Sequence, residues 1–209
     1  MGNFDLRNTD CMELMKEFPE NHFDIAIVDP PYGINAGKVV KYCTKNTKTY
    51  NAKDWDSAIP DEAYFTELFR VSKNQIIWGG NYYANLLPNS RGWIYWNKVK
   101  YVDNYADGEL AWTSFDKNIR EAKLQHHGFL TSDITRIHPT QKPVRLYAWL
   151  LENYAEKGCK VLDTHLGSGS IAIACHYFGC HLTASEIDKG YYLDSLKRIK
   201  EQTTQLTIF

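Results

Sequence analysis

Three stretches of the chain share one pattern, a short apolar run that stops at an acidic residue and a turn: FDIAIVDPPYG over 23–33, CKVLDTHLGSGS over 159–170 and CHLTASEID over 180–188. Runs this short and continuous predict strands buried on both faces, as in parallel sheets. Between the second and third lies IAIACHYFG, an apolar helix closed by Gly179. Strand, glycine turn, helix and strand within about thirty residues make a βαβ unit, which requires a parallel sheet covered by helices. Further strands are predicted at 74–80 and 92–98, and helices at 9–18, 61–72, 143–155 and roughly 189–201. Pro143 suits a first helical turn, where a missing N–H costs nothing.

The segments between these elements are polar. Residues 34–55 carry Lys38, Lys41, Lys45, Lys48 and Lys53 with few apolar anchors, and predict a basic loop beside the DPPY strand. Residues 99–138 have weak periodicity and read as an insertion on the sheet, while 202–209 read as an extended tail. With no internal repeat, the expectation is a single α/β domain over 1–209, built on a doubly wound, mostly parallel sheet.

Composition narrows the function classes. A hydrophobic content of 44% and a charged content of 23% are ordinary for a globular domain. The start of the chain has neither the basic stretch nor the apolar core of a signal peptide, and no apolar run is long enough for a membrane span, so a cytoplasmic protein is expected. The five cysteines include no CxxC pair and read as buried thiols, without a metal. A net charge of −1 gives no global attraction to nucleic acid, so contacts with DNA would rest on local basic patches.

The βαβ unit carries the first candidate chemistry. Its strand ends at Asp163, and Gly167 and Gly169 frame the turn into the helix, where backbone N–H groups are free to meet a ligand. Glu186 closes the next strand, 23 positions after Asp163, a spacing that suits a carboxylate binding both hydroxyls of a ribose. A tight turn alone would use the same glycines. The third glycine of a dinucleotide fingerprint is missing, as is the GK[ST] of a phosphate loop. A carboxylate at Asp163 suits a cationic ligand better than a pyrophosphate, and S-adenosylmethionine, with its sulfonium and ammonium, fits that description.

The second candidate is Asp29-Pro30-Pro31-Tyr32, at the carboxyl end of the strand FDIAIV. An exocyclic amino nitrogen of a base is a poor nucleophile because its lone pair is delocalised into the ring. Asp29 can accept one amino hydrogen and the Pro30 carbonyl the other, while Tyr32 offers a ring on which an extruded base stacks. Consecutive prolines remove competing N–H donors, which leaves the carbonyls to be aimed at the substrate. An ordinary strand-terminating turn would also tolerate these residues.

DPPYG, HPTQKP (138–143) and LDTHLGSGS, in this order, resemble the amino-group DNA methyltransferases of the permuted β class, especially small phage-type adenine methyltransferases. The resemblance implies a Rossmann-like, S-adenosylmethionine-dependent fold with circularly permuted motif order. It also implies base flipping and methylation at adenine N6, with cytosine N4 or a non-catalytic DNA-binding module of the same fold as alternatives. The implied catalytic residues are Asp29, Pro30, Pro31 and Tyr32. The implied cofactor set is Asp10, Cys11, Asp29, His138, Thr140, Lys142, Asp163, Thr164, Leu166, Gly167, Ser168, Gly169, Glu186 and Ile187. Asp10 can equally be a helix N-cap. Restriction-modification is the setting in which many such enzymes work, although no nuclease motif is present here.

The expected partner is double-stranded DNA, contacted through Lys38, Lys41, Lys45 and Lys48 of the basic loop and through Lys98, Lys100, Arg120 and Lys123 of the insertion. The insertion would serve as a short target-recognition region, for which a homodimer could compensate. The tail residues Gln205, Leu206, Ile208 and Phe209 resemble the short peptide that docks onto the bacterial DNA sliding clamp.

Overall fold

The computed structural model describes residues 3–36, 55–99, 106–124 and 137–204. The strands are β1 (Phe4–Arg7), β2 (Ile25–Val28), β3 (Gln75–Trp78), β4 (Trp93–Asn97), β5 (Gly108–Thr113), β6 (Arg120–Lys123), β7 (Lys160–Asp163) and β8 (His181–Ser185). They lie in one sheet in the order β1-β8-β7-β2-β3-β5-β4-β6. The first five in that order are mutually parallel, and β5 runs antiparallel to both its neighbours, β3 and β4.

Alternation along the strands explains why both sheet faces are covered. On β2, Ile25 and Ile27 join a core shared with α3 (Val144–Tyr154), α4 (Ser170–Phe178) and α5 (Lys189–Thr204). Ala26 and Val28 face the opposite core, with Leu14 and Met15 of α1 (Cys11–Lys16) and Phe65 and Leu68 of α2 (Glu62–Val71). Every residue of β2 and β3 is buried, as continuous apolar strands between helical layers require.

The chain leaves β7 toward β8 on one side and β2 toward β3 on the other, so the strand order reverses between β7 and β2. Ligands of open α/β sheets bind beyond the carboxyl ends of strands at such a point. Asp29 to Tyr32 and Asp163 to Gly169 both emerge there.

The predicted elements appear in place, with Pro143 as the N-cap of α3 and not inside its first turn. Cys159, Cys175 and Cys180 are buried, as expected. Three differences stand out. Phe4–Arg7 forms the short edge strand β1, where Phe4 and Leu6 alternate with charged residues. The insertion expected over 99–138 contains β5, an interior strand of the sheet, and the edge strand β6. In β5 the order GELAWT mixes a glycine and a charge with apolar residues, which conceals its period. Finally, α5 continues through Thr204, so residues 202–204, expected in the tail, are helical, and 205–209 lie outside the described residues. Among the described residues, no helix is long and apolar enough to cross a membrane.

Candidate active site

A cavity of about 300 Å³ opens beyond the carboxyl ends of β2, β7 and β8. Nine residues of the expected cofactor set line it: Asp29, His138, Thr140, Lys142, Leu166, Gly167, Ser168, Glu186 and Ile187. On the β7–β8 side the walls are built mostly from backbone. Gly167 and Gly169 hold φ of +52° and +72°, and a Cβ at Gly169 would lie 2.8 Å from Ile199 of α5, so the turn packs tightly there. Gly169 caps α4 without a side chain, leaving that helix's first N–H groups to the turn. Arg198 supports the turn from below, donating to the Ser168 carbonyl at 2.8 Å and to Ser170 Oγ at 3.0 Å.

Glu186 accepts from Gly167 N at 2.8 Å on Oε2 and from Asp188 N at 2.9 Å on Oε1. A carboxylate oxygen can accept more than one hydrogen bond, which suits a ligand hydroxyl. Asp163, 3% exposed, accepts from His165 N at 3.0 Å and lies behind the lining. Burial pushes its pKa up to about 8, and burial pushes that of the neighbouring His165 down to about 4. Thr164 is also buried behind the lining, bonded to Tyr64 Oη at 2.7 Å and to His165 Nδ1 at 2.9 Å. Asp10 is exposed and caps α1, accepting from Met12 N at 2.8 Å; neither it nor Cys11, whose thiol burial pushes up to about 12, is among the residues lining the cavity. His138 is buried, its ring 4.4 Å from that of Tyr191, and Thr140 Oγ1 lies 3.1 Å from its Nδ1.

On the β2 side the walls are charged side chains. Lys142 Nζ is 2.5 Å from Asp29 Oδ2 and 3.1 Å from Glu109 Oε2. Tyr32 Oη donates to Asp29 Oδ1 at 2.6 Å, and Lys98 Nζ is 2.6 Å from Glu109 Oε1. Burial and the opposed charges pull these groups in different directions. Burial raises the pKa of Asp29 against the pull of Lys142. Glu109 is likewise penalised by burial, yet Lys142 and Lys98 together hold it down at about 2. For Lys142, burial is outweighed by the two carboxylates, which raise its pKa and keep it cationic.

The DPPY turn is held from outside as well. Asp56, 2% exposed, accepts from Tyr32 N at 2.6 Å, Gly33 N at 2.9 Å and Ala36 N at 2.7 Å. Two expectations change here. The Pro30 and Pro31 carbonyls are not left open, because the fully buried Tyr83 places its hydroxyl 2.8 Å and 2.6 Å from them. The Tyr32 ring is not a bare platform either: Tyr82 stacks on it with centroids 4.9 Å apart. Gly79, with φ +74°, lies against the same ring, and an added Cβ would come within 2.3 Å of it.

Among the expected DNA contacts, Arg120 and Lys123 are exposed on β6. Lys98 is corrected: its side chain is 14% exposed and its charge is committed to Glu109, which draws it into the site. Lys38, Lys41, Lys45, Lys48, Lys100 and the tail from Gln205 to Phe209 lie outside the described residues. The sequence reading missed Glu109 and Asp56, and reached Tyr82 and Tyr83 only through the resemblance of WGGNYY (78–83) to a family strand bordering the base pocket, where its aromatics could equally be core.

A family model described as DNA methylase, covering the N6 and N4 enzymes, matches residues 75–197, more than half of the chain. The chain belongs to the N6/N4 DNA methylase family. That match starts at β3, so Asp29 to Tyr32 precede it. Type II methyltransferase M.BglII of Bacillus subtilis is 22% identical over 88% of this chain, which spans 65% of that relative's length. YubD of Escherichia coli strain K12 is 23% identical over 91% of this chain and 87% of its own length. Among solved structures, the cytosine-N4-specific PvuII DNA methyltransferase superposes with a TM-score of 0.65 at 12% identity, covering 98% of this chain and 93% of that one. The M1.HpyAVI complex with S-adenosylmethionine gives 0.57 at 19% identity, covering 94% and 98%. At these identities the structural likeness establishes the fold, a Rossmann-like methyltransferase sheet.

Proposed function

We propose that the chain transfers a methyl group from S-adenosylmethionine to the N6 amino group of an adenine flipped out of double-stranded DNA, acting in the cytoplasm. The observation that carries this reading is that Glu186 and Asp29 line one continuous cavity, so a ribose anchor and an amine acceptor share the same space. The cavity fits the cofactor: its volume is within the range of small-molecule sites, and its carboxylates suit a doubly cationic ligand. Glu186 would hold the ribose, Gly167 to Gly169 the methionine part, and Ile187, 67% exposed at the lip, the adenine face.

The cofactor supplies an electrophilic methyl group. Asp29 accepts one hydrogen of the target amine, and the Pro30 carbonyl, which keeps a lone pair beside its bond from Tyr83, accepts the other. As the N–C bond forms and the S–C bond to the methyl breaks, leaving a neutral thioether, the amine proton would pass to Asp29, whose burial raises its affinity for a proton. A base stacking on Tyr32 would take the place of the Tyr82 ring, which is 41% exposed.

Labelled-cofactor transfer to unmethylated plasmid DNA tests the reading, with Asp29→Ala expected to abolish transfer and to leave cofactor affinity within a few fold. Activity near wild type would remove Asp29 from the role. Cytosine N4 is the second reading, favoured by the superposition on the PvuII enzyme. Single-molecule sequencing of the methylated DNA separates the two.

DNA backbone contacts are proposed for Arg120, Lys123, Lys100 and the loop lysines Lys38, Lys41, Lys45 and Lys48. Replacing Lys41, Lys45 and Lys48 by Ala should flatten the salt dependence of binding, at a slope of about 0.9 per lost phosphate contact. The insertion over 99–138 is proposed for target recognition, and a homodimer, testable by sedimentation, would enlarge that surface. The sequence QLTIF at 205–209 is proposed to dock on a sliding clamp. Deleting it should abolish pull-down by purified clamp while sparing methylation of short duplexes.

A further inference from the structure

Asp29, read as the amine acceptor, starts with both oxygens engaged, Oδ1 by the Tyr32 hydroxyl at 2.6 Å and Oδ2 by the Lys142 ammonium at 2.5 Å. Spare lone pairs remain, but an ammonium at that distance draws off the negative charge an incoming N–H must find. The Lys142 side chain is 3% exposed, so water cannot take over its charge. Another group inside the protein has to do so.

Glu109 of β5 has the required geometry. Its Oε2 lies 3.1 Å from Lys142 Nζ and 3.5 Å from Tyr32 Oη, so it faces both donors that occupy Asp29. Its Oε1 is fixed by Lys98 at 2.6 Å, which sets the orientation of the carboxylate. The rings of Trp78 and Tyr32, with centroids 5.3 Å and 5.6 Å from Nζ, surround the ammonium with aromatic faces that favour a cation.

We propose that Glu109 is a positioning residue for methyl transfer: when the target amine reaches Asp29, Glu109 takes over the Lys142 ammonium, and Asp29 meets the amine with its full charge. Nζ already lies within ion-pair distance of both carboxylates, so the handover is a tilt of one side chain and needs no backbone movement. Glu109 stays anionic and Lys142 cationic throughout, in keeping with the strong depression of the first group's pKa and the elevation of the second's. The proposal rests on the reading of Asp29 given above.

A charge series at Glu109 tests it. Glu109→Gln keeps the shape and loses the charge, whereas Glu109→Asp keeps the charge on a shorter arm. Single-turnover transfer from labelled cofactor to unmethylated plasmid DNA should slow by at least about tenfold in the Gln variant and less in the Asp variant. Cofactor affinity, read by calorimetry, should stay within about twofold in both. A Gln variant as fast as the Asp variant or faster would overturn the proposal, as would a rate loss matched by a loss of cofactor affinity. The underlying reading fails separately, through an active Asp29→Ala enzyme. An inactive Asp29→Ala enzyme beside a fully active Glu109→Gln enzyme would overturn the handover alone.

Discussion

The two halves of the cavity are built by different means. The β7–β8 half comes from one stretch of chain, 163–188, and its polar surface is largely backbone: N–H groups at the start of α4, a glycine turn, and a carboxylate whose oxygens accept from Gly167 and Asp188. The β2 half gathers charged side chains from positions far apart in sequence, Asp29, Lys98, Glu109 and Lys142. A backbone nest follows from local chain geometry and holds a ligand without carrying net charge. A buried cluster of two carboxylates and two ammonium groups is costly to assemble and strongly coupled, which suits a site where charge shifts during reaction. Ser170 Oγ joins the halves by donating to the Lys142 carbonyl at 2.7 Å, so the glycine turn and the charged cluster are tied together.

If the β2 half acts through charge, the largest effect should come from neutralising its centre without changing its shape. Asp29→Asn is expected to lower the single-turnover rate by on the order of 100- to 1000-fold, the scale of losing one preorganised electrostatic contact. Cofactor affinity should change little. A loss of only a few fold would mean that shape, and not charge, governs this half. The β7–β8 half should respond in the opposite way. Glu186→Ala should weaken cofactor binding by on the order of ten- to a hundredfold, the scale of hydrogen bonds to a charged group, while the rate at saturating cofactor stays near wild type. Calorimetry showing unchanged affinity would take Glu186 out of the site.

The same contrast explains what the sequence could tell. Gly167 and Glu186, which line the cavity, could be picked out because their spacing is fixed by one βαβ unit, and the Asp29 to Tyr32 turn because the motif is contiguous; Asp163, expected as a carboxylate facing a cationic ligand, lies behind the lining. Glu109 was hidden in a strand whose order, GELAWT, conceals its alternation. Its partner Lys142 lies 33 residues further on, and only the pairing of β5 with β3 brings the two to Asp29. Lys98 was misread for a related reason: a lysine just past an aromatic strand looks like a surface charge, and its partner cannot be found without the register of β4 against β5. Asp56 contacts the DPPY turn from across a segment whose length carries no periodic signal. Local motifs were readable, while tertiary ion pairs were not.

Two groups at the glycine turn, the buried Asp163 and the half-buried His165, sharpen the contrast through pH. Asp163 has a folded pKa of about 8, far above an ordinary carboxylate, so its contribution is fully present below about pH 4 and is lost as the pH rises toward 8. His165 has a folded pKa of about 4, below its ordinary 6.5, so its contribution is present above 6.5 and is lost as the pH falls toward 4. Between pH 4 and 6.5 the two slopes oppose each other. From 6.5 to 8 only Asp163 acts, and the unliganded protein should lose stability by up to about 1.4 kcal/mol per pH unit. Asp163→Asn should remove that alkaline loss and expose the acid loss due to His165. Denaturant melts from pH 4 to 9 would show this, and a variant with an unchanged pH profile would count against it.

The smallest expected effect isolates backbone from charge within the β2 half itself. Tyr83 is fully buried, and its one hydroxyl proton is shared between the carbonyls of Pro30 and Pro31. Tyr83→Phe removes that proton and leaves the ring in place. Two acceptors then lose a common donor, which should cost about 0.5–1.5 kcal/mol of stability. The effect on rate should be smaller than at Asp29, because two opposed consequences meet: the proline turn is less firmly held, and the Pro30 carbonyl is freed to accept more strongly from the target amine. A rate within about threefold of wild type, alongside a measurable drop in thermal midpoint, is the expected result. A loss approaching that of Asp29→Asn would show that the aim of the backbone carbonyls, held by Tyr83, matters as much to the amine as the charge on Asp29.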